Sequence, residues 1–363
     1  MKRGVGWVVV GLAFMGGCGG TGEDEPAWSP PPGGASSPPP ECTSTVSDPA
    51  GAAAAVDQAR PGDVVCFTGA RFLDLVIEMR ASGTAEEPIT LSGYGTTLRS
   101  IGVSADHVIV TGFVLADGDG LNLRGHGVQA HHNVVRNAGR DGIVCTECVD
   151  AVVESNTVWQ ADGTGIVIEG AQILARHNTV SGSVMREGED ADGFRFFGTG
   201  LRLLDNTIRD IKTTDYPEGH APHTDCFQTY DTRDSRPTYD VVIANNRCEN
   251  VDVQCLIATS DRTRTTEVPP GVTTILFEGN TCAVNGSQGV LLEYFPNVVV
   301  SGNVFSGPRY RAILVSRGSV NGTVVGNTVV GDIPAFEIDD ESRRGFHAEG
   351  NSPPPKGDFR HGR

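Results

Sequence analysis

An asparagine recurs along most of this chain at intervals that one kind of fold explains. Five of its eight successive spacings are 22 to 24 residues, and most copies sit in the sequence Asn-Thr-Val or a close variant. A period of that length is typical of a solenoid, in which each repeat forms one turn and stacks on the next. The asparagines are Asn133, Asn156, Asn178, Asn206, Asn246, Asn280, Asn303, Asn327 and Asn351.

A second shared block begins eight residues after most of these asparagines, as in the segments that start at Asp141 and Thr164. Apolar residues alternate along it, for example Ile143 and Cys145, and a period of two predicts strands with one face in a core. We therefore predict an all-β fold, a parallel β-solenoid of about ten coils. Because the asparagine recurs in every coil, we predict a structural role for it, with side-chain amides bonding from turn to turn.

The eight-residue offset fails in two neighbouring repeats. It is 14 residues from Asn178 to Asp192 and 19 residues from Asn206 to Asp225. Insertions at residues 183–191 and 212–224 therefore lengthen the same corner of two adjoining coils. Two more, at residues 231–240 and 260–271, enlarge the next corner. Four long loops around one strand face predict a groove.

The residues that distinguish the interrupted coils are the candidates for function. Asp192 and Asp225 share a slot in neighbouring coils, so their carboxylates should lie about 5 Å apart. Near Asp225 the sequence His-Ala-Pro-His-Thr-Asp-Cys-Phe-Gln-Thr-Tyr-Asp concentrates polar side chains. The catalytic candidates are Asp225, His223, Asp192, Arg195 and Lys212, and the substrate-binding candidates are Gln228, Tyr230, His220, Arg262, Arg264 and Glu293.

Two chemistries fit these candidates. Two carboxyl groups, one with a raised pKa because its neighbour is ionised, suit a glycoside hydrolase. Alternatively, acidic side chains could hold Ca²⁺ beside a uronate while His223, Arg195 or Lys212 removes a proton, as in a polysaccharide lyase. The acids for such a calcium site are Glu187, Glu189, Asp190 and Asp192, next to Asp225.

Each candidate also has an ordinary structural explanation. An aspartate at a coil corner often caps a turn through its side chain, and the acidic run and Lys212 can be solvated loop charges. The alternative to an enzyme is therefore a non-catalytic surface lipoprotein that binds glycan or has a structural role. The net charge of -17 argues against a nucleic-acid partner, since phosphate binding needs a basic face. It also means that a polyanionic glycan would need Ca²⁺ or local arginines beside it.

The start of the chain predicts export. Lys2 and Arg3 precede an apolar run that is too short to span a bilayer. The segment Met-Gly-Gly-Cys that ends at Cys18 resembles the bacterial lipobox. That resemblance implies a signal peptide over residues 1–18, a lipid on Cys18 and attachment to the cell envelope, with simple secretion as the alternative. Residues 19–41 predict a Gly/Pro/Ser-rich tether, and residues 352–363 a disordered tail.

Without Cys18, eight cysteines are left, and an even number is expected of paired thiols in an oxidising compartment. Stacked strands lie about 4.8 Å apart, within reach of a disulfide. Cysteines that share a slot in successive coils are therefore predicted to pair, unless they are only small apolar fillers. The predicted disulfides are Cys226–Cys255 and Cys248–Cys282, with Cys42–Cys66 and Cys145–Cys148 as the remaining candidates.

Residues 52–72, which read AAAAVDQARPGDVVCFTGARF, look like the start of right-handed parallel β-helix proteins of the pectate-lyase-like superfamily. With the repeats, the resemblance covers about residues 50–351. It implies a right-handed parallel β-helix domain over residues 42–351 that acts on a polysaccharide, and we expect a monomer. Ser47 or Asp48 as a cap, Pro49 in the first turn and the alanine-rich run to Ala59 predict a helix that closes the amino-terminal end. The sequence HTDCFQ resembles an H-x-D-x-x-Q element of such proteins, whose reaction that resemblance does not indicate.

Overall fold

The computed structural model describes residues 41–68, 71–186, 190–214, 216–217, 219–231, 236–260 and 268–353. Residues from Glu41 onward belong to one compact unit. Several predictions lie outside the described residues: the signal peptide with Cys18, the tether up to residue 40, Glu187, Glu189, Arg262, Arg264 and the tail from residue 354.

The described strands pair in parallel and form three walls of a β-helix. The first wall consists of β1 (Ser44–Val46), β2 (Val64–Phe67), β4 (Ile89–Ser92), β6 (Val108–Thr111), β8 (Gln129–His131), β11 (Val152–Glu154), β14 (Leu174–Arg176), the end of β16 (Phe194–Leu204), β19 (Tyr239–Ala244), β22 (Ile275–Glu278), β25 (Val299–Ser301), β28 (Thr323–Val325) and β31 (His347–Glu349).

Three long strands bend around the corner between the second and third walls, namely β3 (Arg71–Met79), β5 (Thr97–Ser104) and β7 (Val114–His126). The second wall continues with β9 (Val134–Arg136), β12 (Thr157–Trp159), β15 (Thr179–Ser181), β17 (Thr207–Arg209), β20 (Arg247–Val251), β23 (Thr281–Val284), β26 (Val304–Ser306) and β29 (Thr328–Val330). The third wall continues with β10 (Ile143–Val149), β13 (Ile166–Ala171), β16 (Phe194–Leu204), β18 (Asp225–Asp231), β21 (Gln254–Ser260), β24 (Gln288–Glu293), β27 (Arg311–Ser316) and β30 (Phe336–Ile338).

The predicted asparagine ladder is present at the corner between the first and second walls. In one turn, Asn156 Nδ2 donates to Asn178 Oδ1 at 3.0 Å and to the Ala130 carbonyl at 2.9 Å, while its backbone N–H donates to the same Oδ1. Asn156 and Asn178 are each 1% exposed, so these bonds satisfy polar groups that water cannot reach. The ladder therefore explains why the residue recurs.

The β-helix has about twelve turns rather than the ten predicted. The difference lies at the amino-terminal end, where the turns do not carry the asparagine. Phe113 stands in the asparagine slot, and its backbone N–H donates to Asn133 Oδ1 at 3.1 Å. A count based on asparagine therefore begins too late in the chain.

The predicted amino-terminal helix is α1 (Pro49–Asp57). Asp48 caps it, because its carboxylate accepts the N–H of Gly51 at 3.0 Å. Ala52 and Val56 are buried in the same core as the strands. A short 3-10 helix (Asp340–Ser342) lies near the other end. Among the described residues, no helix has the length and apolar character needed to span a bilayer.

All eight described cysteines form disulfides, but two predicted pairings are wrong. Cys42–Cys66 and Cys145–Cys148 pair as predicted. The other bonds join Cys226 to Cys248 and Cys255 to Cys282, with Cα separations of 6.1 and 5.8 Å, instead of Cys226–Cys255 and Cys248–Cys282. Each of these bonds joins a cysteine near the start of a third-wall strand to one near the start of a second-wall strand, so the bonds cross between walls and do not run along the ladder.

Candidate active site

Asp192 lies two residues before β16, Asp225 is the first residue of the neighbouring β18, and both side chains are completely buried. One oxygen of each has a structural partner in the next turn. Asp192 Oδ1 accepts the N–H of Asp225 at 3.0 Å, and Asp225 Oδ1 accepts the N–H of Gln254 at 3.0 Å. Asp141 makes the same kind of bond to Thr164 in a turn without an insertion. The predicted turn-capping role is therefore present.

The second oxygen of each carboxylate holds a basic side chain. Asp192 Oδ2 accepts from Arg195 Nη2 at 2.8 Å, and Asp190 Oδ2 lies 3.3 Å from the same nitrogen. Asp225 Oδ2 lies 3.1 Å from His223 Nδ1. The His223 side chain is 51% exposed and that of Arg195 is 21% exposed. Two buried acids thus anchor two basic groups at the protein surface.

The electrostatics of this cluster follow from burial and pairing. Burial raises the pKa of Asp225, and burial together with the neighbouring Asp225 charge raises the pKa of Asp192 well above its usual range. The hydrogen bond to Asp225 raises the pKa of His223 from 6.5 to about 9, although partial burial opposes that change. At neutral pH, His223 and Arg195 are both cationic.

Side chains on the outer face of the third wall continue the cluster. Arg195 Nε donates to Gln228 Oε1 at 2.9 Å, and the two residues are register partners on β16 and β18. Phe197 and Tyr230 pack edge to face with ring centres 5.0 Å apart. The Arg195 guanidinium carbon lies 5.9 Å from the Tyr230 ring centre. These contacts confirm that the predicted Arg195, Gln228 and Tyr230 share one surface.

The two insertions extend the parallel ladder beyond the strands. Asp190 and His223 form an isolated parallel bridge, and the N–H of Ala191 donates to the His223 carbonyl at 2.9 Å. Farther out, the N–H of Met185 donates to the Tyr216 hydroxyl at 2.9 Å. The insertions are therefore joined to each other in their described parts, which fixes His223 beside Asp190.

Three predicted site residues lie elsewhere. Lys212 Nζ is bound by Asn250 and by Asp252, the latter at 3.1 Å, so its ammonium group is directed to the next turn and not into the cluster. His220 is an exposed loop residue whose backbone N–H donates to the Pro217 carbonyl. Glu293 ends β24, two strands beyond Tyr230 on the same outer face, and pairs with Arg317 at 3.2 Å.

Two acids of the predicted calcium site, Asp190 and Asp192, are described, whereas Glu187 and Glu189 lie outside the described residues. Asp190 and Asp192 both direct Oδ2 to Arg195 Nη2, so a guanidinium lies where a cation would have to bind. Among the described residues, the single group of three close metal-type ligands is Cys226, Cys248 and Cys255, whose sulfurs are in disulfides. The described acids therefore fit an arginine counter-ion better than Ca²⁺.

Two further residues of the cluster were not among the predicted site residues. Gln254 donates its N–H to Asp225, and its buried side-chain Oε1 has no hydrogen-bond partner among the described residues. Its position in the slot of Asp225 was the available signal. Tyr216 joins the two insertions, and no pattern in the sequence indicates that contact.

Comparisons with known proteins agree with this fold. A family model described as a right handed beta helix region matches residues 119–268. The fold is a right-handed β-helix. No curated protein gives a significant match.

Solved structures show the same fold. The A-module of the Azotobacter vinelandii mannuronan C-5 epimerase AlgE4 has a TM-score of 0.61 and 12% identity, over 85% of this chain and 91% of the module. Pectate lyase Pel9A has a TM-score of 0.53 and 12% identity, over 83% and 74%. A tailspike protein double mutant of E. coli bacteriophage HK620 has a TM-score of 0.52 and 10% identity, over 80% of this chain and 60% of the tailspike chain. At these identities the likeness shows the β-helix fold alone.

Proposed function

We propose that this chain is an exported polysaccharide lyase that acts on a uronic-acid-containing glycan along the outer face of the third wall. One observation carries the proposal: the buried pair Asp192 and Asp225 presents Arg195 and His223 to that face. The names of the epimerase and the pectate lyase, which share the β-helix fold, support a glycan as the partner.

The same geometry disfavours a glycoside hydrolase. A hydrolase needs two carboxyl groups that reach the scissile bond from either side. All four oxygens of Asp192 and Asp225 already have protein partners, and both side chains are 0% exposed. These acids therefore act on their neighbours and not on the sugar.

Arg195 suits the carboxylate of a uronate. Three of its five N–H donors are used by Asp190, Asp192 and Gln228, and the remaining two belong to Nη1. A substrate carboxylate paired with this guanidinium would have its charge neutralised, which lowers the cost of forming a carbanion at the adjacent C5. Tyr230 and Gln228 flank the same position.

His223 is the proposed base. Nδ1 faces Asp225, which leaves Nε2 of the half-exposed ring for the substrate. Neutral His223 would take the C5 proton while the C4–O bond breaks and a C4–C5 double bond forms. The resulting imidazolium can return its proton to the departing O4, so the enzyme ends unchanged. Because the pKa of His223 is about 9, activity should rise into the alkaline range.

Export to the cell envelope is part of the same proposal. The four disulfides support an oxidising compartment, and a lipid on Cys18 would hold the enzyme at the cell envelope.

The test uses the full chain with polygalacturonate, alginate and neutral dextran. The ultraviolet absorbance of the unsaturated product should rise with a uronate polymer and not with dextran. His223→Ala should lower kcat at least about 100-fold, the usual contribution of a general base. His126→Ala removes another histidine paired with an aspartate, at 2.8 Å, and should leave activity unchanged. Uronate binding without any unsaturated product would favour the non-catalytic alternative.

A further inference from the structure

A cavity of about 530 Å³ lies at the corner that follows β24 and β27, against the segment Val268–Pro270. Its walls combine Tyr294 and three prolines with the basic side chains of Arg317 and Arg344 and the acidic side chain of Glu341. This volume lies within the range of small-ligand sites. None of these residues belongs to the cluster around Asp225, so the cavity is a separate feature of the surface.

The cavity is continuous with the outer face that carries the proposed active site. Tyr230, Thr259 and Glu293 are register partners in successive turns, and Tyr294 directly follows Glu293. Two strand spacings separate Tyr230 from Glu293, which is about 10 Å, and Arg317 lies one turn farther on. A glycan chain that passes Arg195 and continues along the β-helix axis would reach the cavity within a few sugar units.

The chemistry of the cavity suits an anionic sugar. Arg317 is held in place by Glu293 at 3.2 Å. For the exposed side chain of Arg344, no ion pair is present within the described part of the chain. A guanidinium pairs well with a carboxylate, and an aromatic ring beside prolines offers an apolar surface for a sugar ring.

We propose that this cavity is a distal subsite that binds a uronate residue of the same polysaccharide, with Arg344 and Arg317 as its carboxylate ligands. The proposal rests on the function proposed above and adds a binding position three turns from Asp225. It predicts that affinity depends on substrate length, because short oligosaccharides would not span both places.

The experiment measures calorimetric binding of short and long oligogalacturonates and oligoalginates to the full chain carrying His223→Ala, which prevents turnover. Adding Arg344→Ala should weaken binding of the long oligomers about tenfold and leave the short ones unchanged, as expected for loss of one charge-assisted contact. Arg343→Ala is the matched control, because Arg343 is the adjacent residue and pairs with Asp340 at 2.9 Å outside the cavity. A thermal melt of each variant checks that the fold is retained.

The outcomes separate the two proposals. Equal effects of Arg344→Ala and Arg343→Ala, or equal loss for short and long oligomers, would overturn the subsite. If the wild-type chain forms unsaturated product while Arg344→Ala binds long oligomers normally, the subsite alone fails. If long oligomers bind through Arg344 but no product forms, the lyase proposal fails and the subsite stands. No binding of any uronate would overturn both.

Discussion

Replacing Asp225 with asparagine should lower the pKa of His223. The amide oxygen of asparagine can still accept the N–H of Gln254, so the cap remains while the charge beside His223 Nδ1 is removed. The rise from 6.5 to about 9 has Asp225 as its largest cause. Since the imidazole is half exposed, solvent screening reduces the effect, and we expect the pKa to fall by about one to two units.

Two measurements follow this change. An NMR titration of the full chain should show the His223 ring signals titrating near 9 in the wild type and at about 7 to 8 in Asp225→Asn. The pH at which kcat/KM rises should fall by the same amount in Asp225→Asn. Asp141→Asn is the control, because Asp141 caps Thr164 in a turn that has no such histidine. The reasoning would be refuted if the pH dependence of kcat/KM were unchanged in Asp225→Asn, or if it shifted equally in Asp141→Asn.

Stability should change with pH in a defined direction. Because the folded-state pKa of His223 lies above its unfolded value of 6.5, the stabilisation from the Asp225–His223 pair is complete below about 6.5 and is lost as pH rises through about 9. Urea unfolding of the wild type should show this decline, whereas Asp225→Asn should show less of it. A decline of the same size in both proteins would mean that other groups cause it.

Three further results are expected. Arg195→Ala removes the cation that pairs with the buried Asp192, so urea unfolding should show a loss of about 3 kcal/mol; an unchanged midpoint would contradict this. Non-reducing peptide mapping should recover Cys226–Cys248 and not Cys226–Cys255. Activity should persist in excess chelator, because Arg195 already occupies the place beside Asp190 and Asp192 where Ca²⁺ would bind. A loss of activity that added Ca²⁺ restores would support the calcium site instead.

Most of the fold could be predicted because its periodic signals are strong and local. An asparagine every 22 to 24 residues and an alternating apolar block each follow from one physical requirement, the satisfaction of buried amides and the filling of a core. Both signals recur many times, so the fold can still be predicted where a single repeat departs from the pattern. The number of turns was wrong because Phe113 replaces asparagine without changing the fold.

The site was predictable in position but not in its bonds. The lengthened offsets place Asp192 and Asp225 in adjoining turns, and register alone brings Arg195 beside Gln228. Sequence spacing cannot say which partner each carboxylate oxygen takes, because that depends on side-chain direction at a corner. The same limit explains Lys212, which lies in the right loop but is bound by Asp252 in the next turn.

The two insertions have to act together to place His223. In a turn of ordinary length, the same corner carries a similar contact, since Asp162 bridges Val184 of the next turn. Here both corners are long enough for a second pair, Asp190 and His223, to stack one step before Asp192 and Asp225. The histidine therefore meets its carboxylate from within its own insertion, while the neighbouring insertion supplies Asp190 to hold Arg195. Asp190 lies in one insertion and His223 in the other, so this cluster needs both insertions.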